Sequence, residues 1–158
     1  MFPKFREVVM YTDIHLARRV IDICRSLMEF REPRLGVTSF DPENTLLAEC
    51  DPVKGILVLR DKYFSQIELV LAVAHECRHL HQYAEGWLSD RLRDRPNSDN
   101  KIEYNLRPEE VDANAFASII VQELCGVKLL WNGMPEEVKK AIADREREIV
   151  EELKKSTH

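Results

Sequence analysis

The chain contains no apolar run approaching the roughly 20 residues needed to span a bilayer as a helix. Its opening segment, MFPKFREVVM, lacks the apolar core and small-residue cleavage site of an export signal. Its four cysteines, Cys24, Cys50, Cys77 and Cys125, form no CxxC pair, and without export they are expected to be reduced thiols. No excess of positive charge is present either. The net charge of -5 argues against nucleic acid or an anionic membrane surface as a partner. No internal repeat or low-complexity block is visible. These absences lead to the expectation of a cytoplasmic protein with no nucleic-acid and no membrane partner.

What remains is an ordinary globular composition, 44% hydrophobic and 32% charged over 158 residues. That length suits one domain over 1–158 with a real core. The pattern places this core over about 10–126 and a C-terminal helix over about 135–156.

The stretch TDIHLARRVIDICRSLMEF begins with Thr12 or Asp13 as a candidate N-cap. Ile14, Ala17, Ile21, Cys24 and Met28 then recur at helical spacing, predicting a helix over roughly 13–30. Pro33 disfavours helix in the residue before it. LGVTSFD, TLLAECD and GILVLRD are short and bounded by turn residues, with DPEN and DPVKG as the turns. They predict a small, mostly antiparallel sheet over roughly 35–61.

A second helix is predicted over 65–85, with Ser65 and Glu68 as a capping box and Gly86 as the stop. Residues 87–107 read as a long polar loop with room for one short helical piece. Its RLRDR run, 91–95, is either a basic substrate contact or a solvated, internally paired charge run, and the second reading is favoured. A third helix runs from Pro108 to Cys125, with proline suited to its first turn and Gly126 to its end. The last helix follows Pro135, with acidic residues early and lysines late, as the helix dipole prefers. Its charged faces suggest docking by one apolar stripe. The fold class expected is α+β.

The chemistry concentrates in AVAHECRHLHQ, residues 72–82, which holds three of the five histidines. His75-Glu76-Cys77-Arg78-His79 is an H-E-x-x-H. At about 100° per residue, His79 falls about 40° and Glu76 about 100° from His75 on the helical wheel. Two imidazoles can then reach one metal, with Glu76 at its flank. Val70, Val73, Cys77, Leu80 and Ala84 form an apolar stripe on the opposite side. Cys77 therefore belongs to the core, and His81 points away from the His75–His79 pair.

A catalytic zinc site needs a third protein ligand and an open position. Glu109, Glu110 and Asp112 are the carboxylates available downstream in RPEEVDANAFASII. Ala113, Phe116, Ala117 and Ile120 form that helix's inward stripe. Glu110 lies on its line, whereas Glu109 and Asp112 are about one residue step off it. An inward carboxylate needs a partner, which a metal can be. The competing role for Glu110 is that of an ordinary acid at a helix N-terminus. Asn114 shares the Glu110 face and can support a ligand from behind. Tyr83, about 80° from His75 on the wheel, and Tyr104, just before the third helix, are candidate oxyanion donors, although such tyrosines are more often packing residues.

HECRH at 75–79 and EVDANAFA at 110–117, in this order and on successive helices, resemble the ImmA/IrrE family of small bacterial and phage-type metallopeptidases. The resemblance covers roughly residues 10–125. It implies a minimal zincin-like fold: leading helix, small sheet, H-E-x-x-H helix and glutamate helix. It also implies one zinc per chain in a gluzincin-like site, held by His75, His79 and Glu110, with Glu76 as general base. The reaction implied is hydrolysis of a peptide bond by a metal-activated water. The implied substrate is a peptide or protein segment lying extended beside the sheet edge. The alternative is a catalytically silent zinc-binding regulatory or interaction module of the same fold. The intact Glu76 argues against it.

Overall fold

The computed structural model describes residues 13–62, 65–87 and 100–156. Helix α1, Ile14–Leu27, starts at Asp13, whose Oδ1 accepts from the Leu16 N–H at 2.9 Å. It ends one turn earlier than periodicity suggests, because Met28 is already extended. Ala17, Val20, Ile21 and Cys24 are its buried face.

Three strands follow: β1, Arg34–Ser39; β2, Ala48–Asp51; and β3, Ile56–Asp61. The sheet order is β1-β3-β2, and here the expectation of a mostly antiparallel sheet is corrected. β2 and β3 are antiparallel, with Cys50 opposite Leu57, but β1 runs parallel to β3, from Arg34 opposite Ile56 to Ser39 opposite Asp61. The sheet is mixed. The β2–β3 turn has its own local cause. The Asp51 carboxylate accepts from the Val53 and Lys54 N–H groups at 3.1 Å each, and Gly55 takes a positive φ of 67°. Ala48, Cys50, Leu57 and Leu59 share one face of the sheet, since directly opposed residues point the same way. Ala48, Leu57 and Leu59 are buried there.

Helix α2, Gln66–Ala84, opens with the predicted capping box: Ser65 Oγ accepts from the Glu68 N–H, and Glu68 accepts from the Ser65 N–H. Val70, Val73, Cys77 and Leu80 are buried as the wheel requires, while Ala84 in the last turn is exposed. Within the predicted long loop, residues 101–105 form the short helix α3, Lys101–Asn105, capped by Asn100. The RLRDR run lies outside the described residues.

Helix α4, Pro108–Cys125, packs on α2 on one side and on α5, Glu136–Ser156, on another. It is therefore buried on almost every side, not along a single stripe: Asp112, Asn114, Ala115 and Ser118 are buried as well as Ala113 and Phe116. Its end is set by Gly126, in the left-handed conformation at φ 67°. α5 docks through Val138, Ile142 and Ile149. One cluster of buried residues joins α1, the sheet, α2, α4 and α5. The chain is thus α+β, and no described helix is long and apolar enough to cross a membrane.

Candidate metal centre

The capping box and apolar stripe fix the rotation of α2, and with it the direction of His75 and His79. Their rings meet edge to face, with centroids 4.7 Å apart and an interplanar angle of 85°. Their Nε2 atoms are 3.0 Å apart. From the first turn of α4, Glu110 completes the group. Its Oε2 lies 3.2 Å from His75 Nε2, and its Oε1 lies 3.2 Å from His79 Nε2. The three side chains are the one group among the described residues whose donor atoms are gathered tightly enough to hold a metal ion.

Two imidazole nitrogens and one carboxylate are a donor set that suits zinc. Ligands about 2.0–2.1 Å from a tetrahedral ion are about 3.3 Å from one another. The observed separations of 3.0 and 3.2 Å are close to that spacing. Glu110 is only 7% exposed and His79 only 9%, so neither relies on bulk water for its partners.

The state of His79 follows from a residue that helical spacing alone does not flag. Gln82, one turn further along α2, places Oε1 2.8 Å from His79 Nδ1. The orientation of this amide is fixed at its other end. Gln82 Nε2 donates to the Glu109 carbonyl at 2.9 Å and to Asp112 Oδ2 at 2.8 Å, two groups that can only accept. Oε1 must therefore be the atom facing His79, and His79 Nδ1 must carry a proton. In neutral His79 this leaves Nε2 as a bare lone pair aimed at His75 and Glu110. Acceptors facing one another repel unless a cation sits among them.

A proton on His79 is one such cation. Burial by itself lowers the His79 pKa. The hydrogen bonds to Glu110 and Gln82, with the charges of Glu76 and Glu110, overcome burial and raise it to about 9. Burial acts in the opposite sense on Glu110, raising its pKa, and the hydrogen bonds and charges of both histidines outweigh it, holding the carboxyl well below the usual range.

Compared with known proteins, the chain matches no family model, no curated protein and no solved structure. The reading of the site therefore stands on its geometry.

Glu76 is half-buried beside the three donors and is not one of them. Its charge reaches His79, Tyr104 and the Cys50 thiol, raising the pKa of each. Cys50 projects from the sheet face that packs on α2. Burial first, then Glu76, keeps its thiol protonated. Tyr104 Oη donates to Glu110 Oε1 at 3.0 Å, so it orients the carboxylate. Burial and the Glu110 charge keep its hydroxyl protonated far above neutral pH.

Other expected roles find less support in the geometry. Asn114 is buried but makes no hydrogen bond to His75, His79 or Glu110, and Gln82 occupies the place behind His79. Tyr83 is half-buried and has no hydrogen bond to these residues. His81 turns away, with Nδ1 2.8 Å from the Glu29 carbonyl. Asp112 is only 1% exposed, deeper than Glu110, and the expectation that it lies off the inward side is corrected. Its Oδ2 accepts from Arg78 Nε at 2.7 Å and its Oδ1 from Arg78 Nη2 at 3.0 Å and Arg145 Nε at 2.8 Å, besides the Gln82 bond. The one sequence signal for this cluster was Arg145, a charge in the line of the Val138, Ile142 and Ile149 stripe of α5; the wheel of α2 places Arg78 off its apolar stripe.

Proposed function

We propose that the chain is a zinc-dependent peptidase of the ImmA/IrrE type, with His75, His79 and Glu110 as ligands and Glu76 as general base. The observation that carries this reading is the triangle of acceptors: two Nε2 atoms and one carboxylate at zinc-like spacing, with the half-buried Glu76 on the turn that carries His75. Zinc bound there would supply a Lewis acid that acidifies water and polarises a carbonyl.

The remaining work falls to the chain. Glu76 accepts a proton from the attacking water and returns it to the leaving amine nitrogen. Its half-buried position suits both transfers, because it is open to water yet close to the donors. Tyr104 holds Glu110 in place through its hydroxyl, and Gln82 holds His79 in the tautomer that presents Nε2. The protonated Cys50 thiol offers Glu76 a neutral neighbour that does not compete as a nucleophile. β2 packs against α2, and among the described residues its outer edge has no strand partner. That supports a substrate lying extended beside the edge, bonded through its backbone.

Metal analysis of the purified chain is expected to give about one zinc per chain, lost in His75→Ala. Glu76→Gln is expected to keep the zinc while hydrolysis falls by about 10²–10⁴-fold. A chain without zinc affinity would rule out the metal reading, and undiminished hydrolysis in Glu76→Gln would remove that residue as base. Comparing new peptide termini in cells carrying wild type or Glu76→Gln identifies the substrate.

A further inference from the structure

α5 carries an arginine in the line of its docking stripe. Val138, Ile142 and Ile149 are buried, and Arg145, between the last two, has a side chain only 16% exposed. A stripe that served packing alone would hold an aliphatic residue there. Arg145 instead spreads its guanidinium over several partners. Nε donates to Asp112 Oδ1 at 2.8 Å, Nη1 donates to Glu148 at 2.8 Å and Glu152 at 3.0 Å, and the group stacks 5.7 Å from the Trp87 ring centroid. Glu148 and Glu152 are on its own helix, so among the described residues the one hydrogen bond by which Arg145 reaches another element is the bond to Asp112.

From Asp112 the contacts lead on to His79. With Arg145 Nε and Arg78 Nη2 on Oδ1, and Arg78 Nε and Gln82 Nε2 on Oδ2, the carboxylate cannot rotate without breaking charge-assisted bonds. Its fixed Oδ2, together with the Glu109 carbonyl, keeps the Gln82 amide from flipping, and the amide is what fixes His79. We infer that Arg145 and Asp112 are positioning residues for the metal ligand His79, acting through Gln82, so that the C-terminal helix is a working part of the metal site. This rests on the metal reading above and assigns a role to a helix outside the segment that carries the motif.

The geometry separates this role from plain packing. Ile142 lies on the same helix face, and its aliphatic side chain can make no hydrogen bond, so it reports on docking alone. Arg145→Met keeps most of the side-chain volume but cannot donate, and Gln82→Met likewise keeps bulk without polar atoms.

The test is zinc affinity of the full chain, measured by competition with a chromophoric chelator, together with the ¹⁵N signature of His79 in the zinc-loaded protein. Gln82→Met is expected to weaken zinc binding by about 10- to 100-fold. Arg145→Met is expected to weaken it roughly three- to tenfold in the wild-type background and hardly at all in the Gln82→Met background, since the two act in series. Wild type should show a slowly exchanging proton on His79 Nδ1 that exchanges faster in Arg145→Met. Ile142→Ala should lower the melting temperature and leave zinc affinity unchanged.

Wild-type affinity in Gln82→Met would overturn the inference, as would an Arg145→Met effect of full size in the Gln82→Met background. An Ile142→Ala loss of affinity matching that of Arg145→Met would do the same. Absence of zinc binding by wild type would overturn the metal reading and the inference together. Zinc binding by wild type with an unaltered Gln82→Met would overturn the inference alone.

Discussion

At His79 two demands meet: the ring must be buried against α4, and it must face a carboxylate. Its raised pKa of about 9 gives the metal-free chain a definite pH response. A histidine whose folded pKa lies above its ordinary value of 6.5 contributes stability that is complete below the ordinary value and is lost as pH climbs through about 9. Glu110 contributes the other limit. Its folded pKa lies below the ordinary 4.5, so its share is present above that value and lost as pH falls below it. The chelator-treated protein should therefore melt highest between roughly pH 4.5 and 6.5 and weaken towards pH 9. With zinc present the alkaline loss should disappear, because the metal replaces the proton that His79 gives up. Melting curves across pH with and without chelator check this. A metal-free melting temperature that rises from pH 7 to pH 9 would be incompatible with it. The histidine donors were legible in the sequence because helical phase is a local property and the i, i+4 pair survives folding unchanged, whereas the inward line drawn on α4 did not by itself separate Glu110 from the deeper Asp112. Gln82 and Asp112 were not legible, because their roles depend on how α2 and α4 cross, and wheels drawn separately carry no crossing.

Helix α4 makes the same point at the level of elements. Its caps and ends were readable from Pro108 and Gly126, but an apolar stripe drawn on one side missed that α2 and α5 would enclose it from both. A carboxylate in such a helix must be paired. Asp112 is paired with Arg78 and Arg145, and Arg78 is itself buried against the Phe116 ring at 5.0 Å. Removing the acid would leave the Arg78 charge buried without its partner. Asp112→Ala is therefore expected to cost about 3–5 kcal/mol of stability, lowering the melting temperature by roughly 10 °C for a chain of this size. Urea unfolding measures it, and a loss below about 1 kcal/mol would mean that the pair contributes little beyond its desolvation cost. The strands show the opposite balance of legibility. All three segments were visible from composition and turns, yet the parallel pairing of β1 with β3 was not. Alternation of side chains is the same for parallel and antiparallel neighbours, so direction is decided by where the chain re-enters the sheet.

For the whole molecule, the order of contacts along the chain has a consequence in time. β2 and β3 are joined by a turn that Asp51 and Gly55 close locally, so this hairpin can form early. β1 must wait for β3, and His75 meets Glu110 only after all of 76–109 has been brought round. Contacts that span more of the chain carry a larger closure entropy and form later. The complete three-donor site is thus absent from any early folding nucleus, and a metal that needs all three donors has little to hold until the helices have docked. Stopped-flow kinetics should then show zinc slowing unfolding by the factor through which it stabilises the protein, with refolding almost unchanged. Refolding that accelerates in proportion to zinc would mean that His75 and His79 capture the ion while Glu110 is still distant. On the order drawn here, zinc acts as a late lock on a chain that has already found its shape, and the lifetime of the folded state becomes a measure of metal supply.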